Sequence, residues 1–283
     1  MMRDGEPKLI GLMIAEAVGT FLLVFFGIGV VHVEVFAGVF SGQGQIALAW
    51  GVGVGLAIYA TAAISGAHLN PAVTLAFAVF RGFSWKKVFP YVVSQTAGAF
   101  AAAALLYGLF YRWIARFEAD QGLARGEPGS QLSARAYGEY FPNPAVAGTD
   151  TAAFELLSVW QAFAAEAVGT GLLVLFIFVL IEPKNRSAPG SRAVALPIGL
   201  VVSAIICVLA VLTQAGLNPA RDFGPRLFAF MAGWGEIAIP GPRGGFFTVY
   251  VLGPLVGGVA GAAIHDVLLR RYLPPPPPPD QHG

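Results

Sequence analysis

Long apolar runs dominate the chain, and their lengths predict its main elements. Leu9–Val33 carries only Glu16 as a formal charge, and Val159–Ile181 only Glu166. Ile46–Ile64, Val88–Tyr111, Ala193–Thr213 and Gly244–Ile264 carry none. A hydrocarbon core about 30 Å thick takes roughly 20 residues of helix to cross, so the pattern predicts six membrane-spanning helices. The runs are continuous rather than alternating, which argues against a β-barrel. Gly51/Gly55, Gly253/Gly257 and Gly257/Gly261 are small residues four apart, the spacing that lets helix backbones approach in lipid. The first run is about twice the length of a signal-peptide core and reads as a retained helix. Pro274–Pro279 predicts a short polyproline II stub outside the membrane. The division expected is one membrane domain over 1–273 and a Pro-rich tail over 274–283.

Composition narrows the function classes. Of 283 residues, 56% are hydrophobic and 12% charged, about half the charge of an ordinary soluble domain. A soluble globule and a disordered chain are both excluded. The net charge of +1, with basic residues scattered, excludes the electrostatic footprint of a nucleic-acid binder. Cys207 is the single cysteine, and His32, His68, His265 and His282 show no ligand spacing. Neither a metal nor a cofactor is implied. No nucleophile–base pair stands out, which argues against an enzyme.

The chain also repeats itself. Ala15-Glu16-Ala17-Val18-Gly19-Thr20 recurs as Ala165-Glu166-Ala167-Val168-Gly169-Thr170, and Leu69-Asn70-Pro71-Ala72 as Leu217-Asn218-Pro219-Ala220. Glu16 and Asn70 are 54 residues apart, Glu166 and Asn218 are 52 apart. Repeat one covers about 8–111 and repeat two about 158–270. Each holds three spans, an odd number, so the second must sit inverted relative to the first. Asn is a good helix cap and Pro suits the first turn. The apolar stretches after the two motifs, Ala72–Phe80 and Phe223–Trp234, reach only about half the bilayer at 1.5 Å per residue. Two half-helices entering from opposite faces should therefore meet, N-terminus to N-terminus, near the midplane. Gly66 and Gly216 precede the caps and suit irregular backbone there.

Lys and Arg in the loops predict orientation. The side shared by the termini carries Arg3, Lys8, Arg81, Lys86, Lys87, Lys184, Arg186, Arg192, Arg270 and Arg271. The other side carries Arg112, Arg116, Arg125, Arg135 and Arg243, mostly in one long loop with six acids. Ten against five places both termini in the cytoplasm, in a multi-pass protein of the cell membrane.

The motifs GAHLNPAV at 66–73 and GLNPARDFGPR at 216–226 resemble the signatures of the aquaporin superfamily, over about residues 8–273. Asp222 directly after Arg221 makes the second motif more similar to the glycerol-facilitator branch than to strict water channels. The resemblance implies an all-α membrane protein of six transmembrane helices and two re-entrant half-helices. It implies one pore per subunit, a homotetramer, and lipid, water and small neutral solutes such as glycerol as partners. Asn70, Pro71, Ala72, Asn218, Pro219 and Ala220 would form the meeting point of the half-helices. Both Asn amides would then donate to a passing oxygen and turn its hydrogens outward, breaking the wire a proton needs, as in aquaporin-type pores generally. By family position Trp50, Ile206, Ala215 and Arg221 form the selectivity filter. The bacterial glycerol facilitator has Trp, Gly, Phe and Arg there, and strict water channels have His where Ile206 stands. The quartet departs from both and is similar to that of plant nodulin-like intrinsic proteins.

Arg221 would donate to solute oxygens and repel cations, with Trp50 and Ile206 as an apolar wall. Glu16 and Glu166 would accept hydrogen bonds from the irregular loops, although two in-span carboxylates also suit a proton-coupled transporter. Asp222 and Arg226, four apart, can pair along the second half-helix. His68 either lines the cytoplasmic vestibule or packs its loop. The leading expectation is a passive channel for glycerol or similar neutral solutes and water. A strict water channel and a coupled secondary transporter are the alternatives.

Overall fold

The computed structural model describes residues 8–39, 42–190 and 192–274. Apart from Pro274, the proline tail falls outside the described residues. Among the described residues, six helices are long and apolar enough to cross a membrane: Leu9–Ala37, Gln43–Ser65, Trp85–Asp120, Val159–Ile181, Ala195–Thr213 and Phe247–Tyr272. They match the six apolar runs, and the ends that differ have simple causes. The first helix, α1 (Leu9–His32), continues as a π-helical turn through Ala37. The long helix α4 (Trp85–Asp120) runs nine residues past the apolar run, since Arg112 ends the hydrophobic signal but not the helix.

The second span is α2 (Gln43–Ser65), and the half-helix α3 (Pro71–Phe80) follows it. Three short turns, α5 (Gln131–Ala134), α6 (Pro144–Ala147) and α7 (Thr151–Glu155), lie in the loop after α4. In the second half, α8 (Val159–Ile181) starts at a capping box of Ser158 and Gln161. Then come α9 (Ala195–Thr213), the half-helix α10 (Pro219–Ala229) and α11 (Gly253–Ala263), the last flanked by π-helical turns.

Both half-helices start where the caps predict. Asn70 Oδ1 accepts the Ala72 N–H at 2.8 Å, and Asn218 Oδ1 accepts those of Ala220 and Arg221 at 3.0 and 3.2 Å. Pro71 and Pro219 occupy the first turn, where a missing N–H costs nothing. The loops before them are irregular, as expected, but glycine is not what carries most of the left-handed backbone. Gly66 has a positive φ of 86°, but Gly216 does not; Ala67, Leu69, Ala215 and Leu217 take φ between 50° and 57° instead. Gly216 is needed for space, because a Cβ there would stand 2.9 Å from the Tyr250 ring.

The packing repeats with the sequence. In the first half α1 packs on α2 and α4, and in the second α8 packs on α9 and α11, while α2 meets α9 across the pseudo-symmetry. The crossings are backbone to backbone. A Cβ on Gly98 would lie 2.1 Å from Ala17 O, and one on Gly257 would lie 2.0 Å from Ala167 O. Ala17 and Ala167 are equivalent positions of the repeat. At the α2–α9 crossing a Cβ on Gly199 would lie 2.1 Å from Gly51 O. Each half-helix leans on the last span of the other half, α3 on α11 and α10 on α4. Outward-facing Ile14, Leu56, Phe89, Leu200 and Val256 are exposed, as a lipid-facing surface requires.

Candidate functional site: a passage between two half-helices

The N-termini of α3 and α10 face each other at the centre and are clasped together. Asn70 Nδ2 donates to Leu217 O at 3.0 Å, and Asn218 Nδ2 donates to Leu69 O at 2.7 Å. Each amide thus spends one N–H on the opposite loop. A side-chain amide has two, and both asparagines line the central cavity, so a second donor from each remains for whatever passes.

The left-handed backbone before each cap is held by a buried carboxylate, both fully excluded from solvent. Glu16 Oε1 accepts from Ser65 Oγ at 2.6 Å and the His68 N–H at 3.0 Å; Oε2 accepts from the Leu69 N–H and Gln95 Nε2, both at 2.7 Å. Glu166 Oε1 accepts from Thr213 Oγ1 at 2.6 Å and the Gly216 N–H at 2.9 Å; Oε2 accepts the Leu217 N–H at 2.7 Å. A non-glycine residue in the left-handed region costs of order 1–3 kcal/mol. Charge-assisted bonds to its neighbours' N–H groups offset that cost.

A cavity of about 250 Å³ runs past both asparagines. Its apolar walls are rows four residues apart: Trp50, Val54 and Ile58 on α2, Leu173, Ile177 and Ile181 on α8, and Ile198, Val202 and Ile206 on α9. Sequence reasoning found only the outer members of two rows. The signal was present as a four-residue spacing, but in continuously apolar helices it does not distinguish a lumen-facing row from a lipid-facing one. Gly66–Asn70 and Ala215–Asn218 supply the polar side of the lumen. His68 lines this cavity, and its ring also packs against Phe77, Phe83 and Tyr91 at centroid distances of 4.6, 4.7 and 5.3 Å. Lining and packing therefore coexist there.

A second cavity of about 270 Å³ lies beyond Trp50, Ile206 and Arg221, which line both spaces and form the neck between them. Ala215 lines the inner one. The Arg221 guanidinium sits 4.2 Å from the Trp50 ring centroid. Trp50 in turn needs Gly27, where a Cβ would meet its ring at 2.1 Å. Glu34, Arg135, Gln214 and Glu139 line the outer cavity, the first two as an ion pair at 3.1 Å.

Asp222 and Arg226 pair within α10 at 2.8 Å and brace the long loop rather than the lumen. Asp222 Oδ1 accepts the Glu139 N–H at 2.7 Å, while Arg226 Nη1 donates to Ala238 O at 2.8 Å and Nη2 donates to Glu139 O. Glu139, which sequence reasoning counted only among the loop's acids, also contacts Arg221 Nη2 with its carboxylate. Nothing in its sequence neighbourhood marks it, because the contact spans more than eighty positions.

A lumen running between two opposed half-helices inside an inverted set of six spans defines a membrane-spanning protein of the re-entrant, pore-forming class. Sequence comparison agrees with the geometry. The model of the major intrinsic protein family matches residues 5–265, and the chain belongs to that family. The glycerol uptake facilitator protein of Escherichia coli K12 is 44% identical over 265 residues, 93% of this chain and 90% of that one. The propanediol uptake facilitator PduF of Citrobacter freundii is 43% identical over 262 residues, 92% of this chain and 93% of that one. The structure is also similar to that of the aquaglyceroporin from Plasmodium falciparum, with a TM-score of 0.80 and 26% identity over 94% of this chain and 99% of that one.

Proposed function

We propose that this protein is a passive channel, not an enzyme, through which glycerol, related small neutral solutes and water cross a membrane. The observation that carries the reading is the asymmetry of the lumen. Apolar rows from α2, α8 and α9 face loop backbone, two asparagine amides and Arg221. A polyol is itself two-faced, with carbons on one side and hydroxyls on the other, and such a lumen fits both at once. The facilitators of glycerol and propanediol among its relatives have solutes of this kind.

In this reading Asn70 and Asn218, with Pro71, Ala72, Pro219 and Ala220 shaping their helix starts, orient each passing oxygen at the midpoint. The positive ends of α3 and α10, each about half a charge, oppose cations. Trp50, Ile206, Ala215 and Arg221 form the selectivity filter. Glu16 and Glu166 keep the loops in shape, and Asp222 and Arg226 hold the outer loop over the mouth. Residues 1–273 act as one channel domain, assembled as a homotetramer in the lipid of the cell membrane.

Flux through the purified protein tests this. Proteoliposomes under an inward glycerol gradient should reswell faster than empty liposomes, independently of pH and sodium gradients. Water flux without glycerol flux would overturn the polyol reading in favour of a plain water channel, and gradient-driven flux would favour a transporter.

Orientation follows the ten-to-five bias of Lys and Arg, which puts both termini in the cytoplasm. A cysteine-bearing tag after Gly283 should resist a membrane-impermeant thiol reagent on intact cells and react once the cells are opened. Labelling of intact cells would reverse the topology.

A further inference from the structure

The guanidinium at the neck of the passage has a counter-charge from outside the repeat. Glu139 stands in the long loop after α4, only 3% exposed, with its carboxylate against Arg221 Nη2. Its own backbone is pinned on both sides, the N–H by Asp222 Oδ1 at 2.7 Å and the carbonyl by Arg226 Nη2. The backbone that carries the carboxylate is therefore held in place beside Arg221. Arg221 Nη1 is buried and has no partner. Both residues line the outer cavity through which a solute would enter.

This arrangement fixes an orientation and a charge. Tying Nη2 to Glu139 fixes the guanidinium beside the Trp50 ring and leaves Nη1 without a partner. The charge matters more. A buried guanidinium without a counter-ion, with two positive helix ends beyond it, is a ready site for a small oxyanion, because its planar fork matches one bidentately. An anion lodged there blocks the neck. With Glu139 ionised, the pair is neutral and offers a donor without offering an anion site.

We propose that Glu139 is a specificity-determining positioning residue: it cancels the charge of Arg221 at the neck and so keeps small anions from occupying the path used by neutral solutes. The proposal rests on the reading of the chain as a glycerol channel. Cation rejection then falls to the N-termini of α3 and α10.

The protonation of the carboxylate follows from its surroundings. Burial pushes the Glu139 carboxyl above the usual range; contact with Arg221 pulls it down, Asp222 and Glu166 push it up, and Arg226 pulls it down again. Tyr140 and Tyr250 also interact electrostatically with it, Glu34 and Arg135 line the same outer cavity, and Arg243 lines the space on its other side. Glu139 therefore takes up a proton at higher pH than an ordinary carboxylate, and the neck then carries the uncancelled charge of Arg221.

The test compares glycerol flux into proteoliposomes in nitrate and in gluconate at equal ionic strength, starting at pH 9. Nitrate is planar, always ionised and small; gluconate is too large to reach the neck. Wild type and Glu139→Asp should give the same flux in both salts. Glu139→Gln and Glu139→Ser should be slower in nitrate by about tenfold, a difference of about 1.4 kcal/mol. Wild type should acquire the same nitrate sensitivity as the pH is lowered, which decides the matter should the uncharged variants not fold. Equal flux in both salts for Glu139→Gln and Glu139→Ser, or for wild type at every pH, overturns the proposal. Absence of wild-type glycerol flux in gluconate would instead defeat the channel reading beneath it.

Discussion

Glycerol flux through Ile206→His should fall at least about tenfold, while water flux changes much less. Ile206 is 4% exposed and lines both cavities, so its side chain forms part of the neck. It ends the α9 row that continues through Val202 and Ile198. A solute's carbons lying on that row displace water from both surfaces, a gain of about 25 cal/mol per Å² of apolar area. An imidazole in its place removes part of that contact and puts a polar ring opposite Arg221. Ala215 has no bulk with which to compensate. A barrier raised by 1.4 kcal/mol is a factor of about ten in rate. Water has no carbons to lose contact. Stopped-flow light scattering under glycerol and sucrose gradients separates the two fluxes. An equal proportional loss in both would remove Ile206 from the selectivity filter.

The other large effect is structural. Gly257→Val should abolish the folded channel, whereas Gly11→Val should leave it intact. A Cβ at position 257 would stand 2.0 Å from Ala167 O, with the Ala167 carbonyl carbon and Cα both at 2.7 Å. The clashing atoms are backbone of a neighbouring span, which no rotamer change can clear. Relief would require α11 to move off α8, and α11 also seats α3 through Gly258, where an added Cβ would meet Ala72 O at 3.1 Å. Overpacking in a side-chain core costs about 1–3 kcal/mol; against rigid backbone the cost should reach the upper end or beyond. Nothing lies within 4 Å of a Cβ at Gly11. Size-exclusion profiles in detergent and thermal unfolding measure both variants. A monodisperse Gly257→Val with wild-type Tm would mean that the crossing yields more easily than its geometry implies.

Both effects bear on how far the residues could be read without the fold. The six spans, the inverted repeat, the two capped half-helices and the Asn-Pro-Ala pair were legible, because each is written in local signals: run length, repeated spelling, a cap before a proline. Trp50 and Ile206 were placed through resemblance rather than pattern. Gly216 does lie in irregular backbone, but the sequence did not show that its neighbours Ala215 and Leu217 would take the left-handed conformation. They can do so because Glu166, fifty residues earlier, binds the N–H groups of Gly216 and Leu217.

The sequence by itself determined the lipid-spanning helices, their number, the pseudo-symmetry of the two halves and the points where half-helices begin. Those follow from the cost of exposing backbone or charge to hydrocarbon, which every residue feels locally. Only the tertiary structure decided which apolar rows face the lumen, which glycines are crossing points, and that Glu139 meets Arg221. In lipid, hydrophobicity is the same on every face of a span, so it carries no direction. The direction comes from close packing of backbones and from buried polar contacts between residues far apart in the chain.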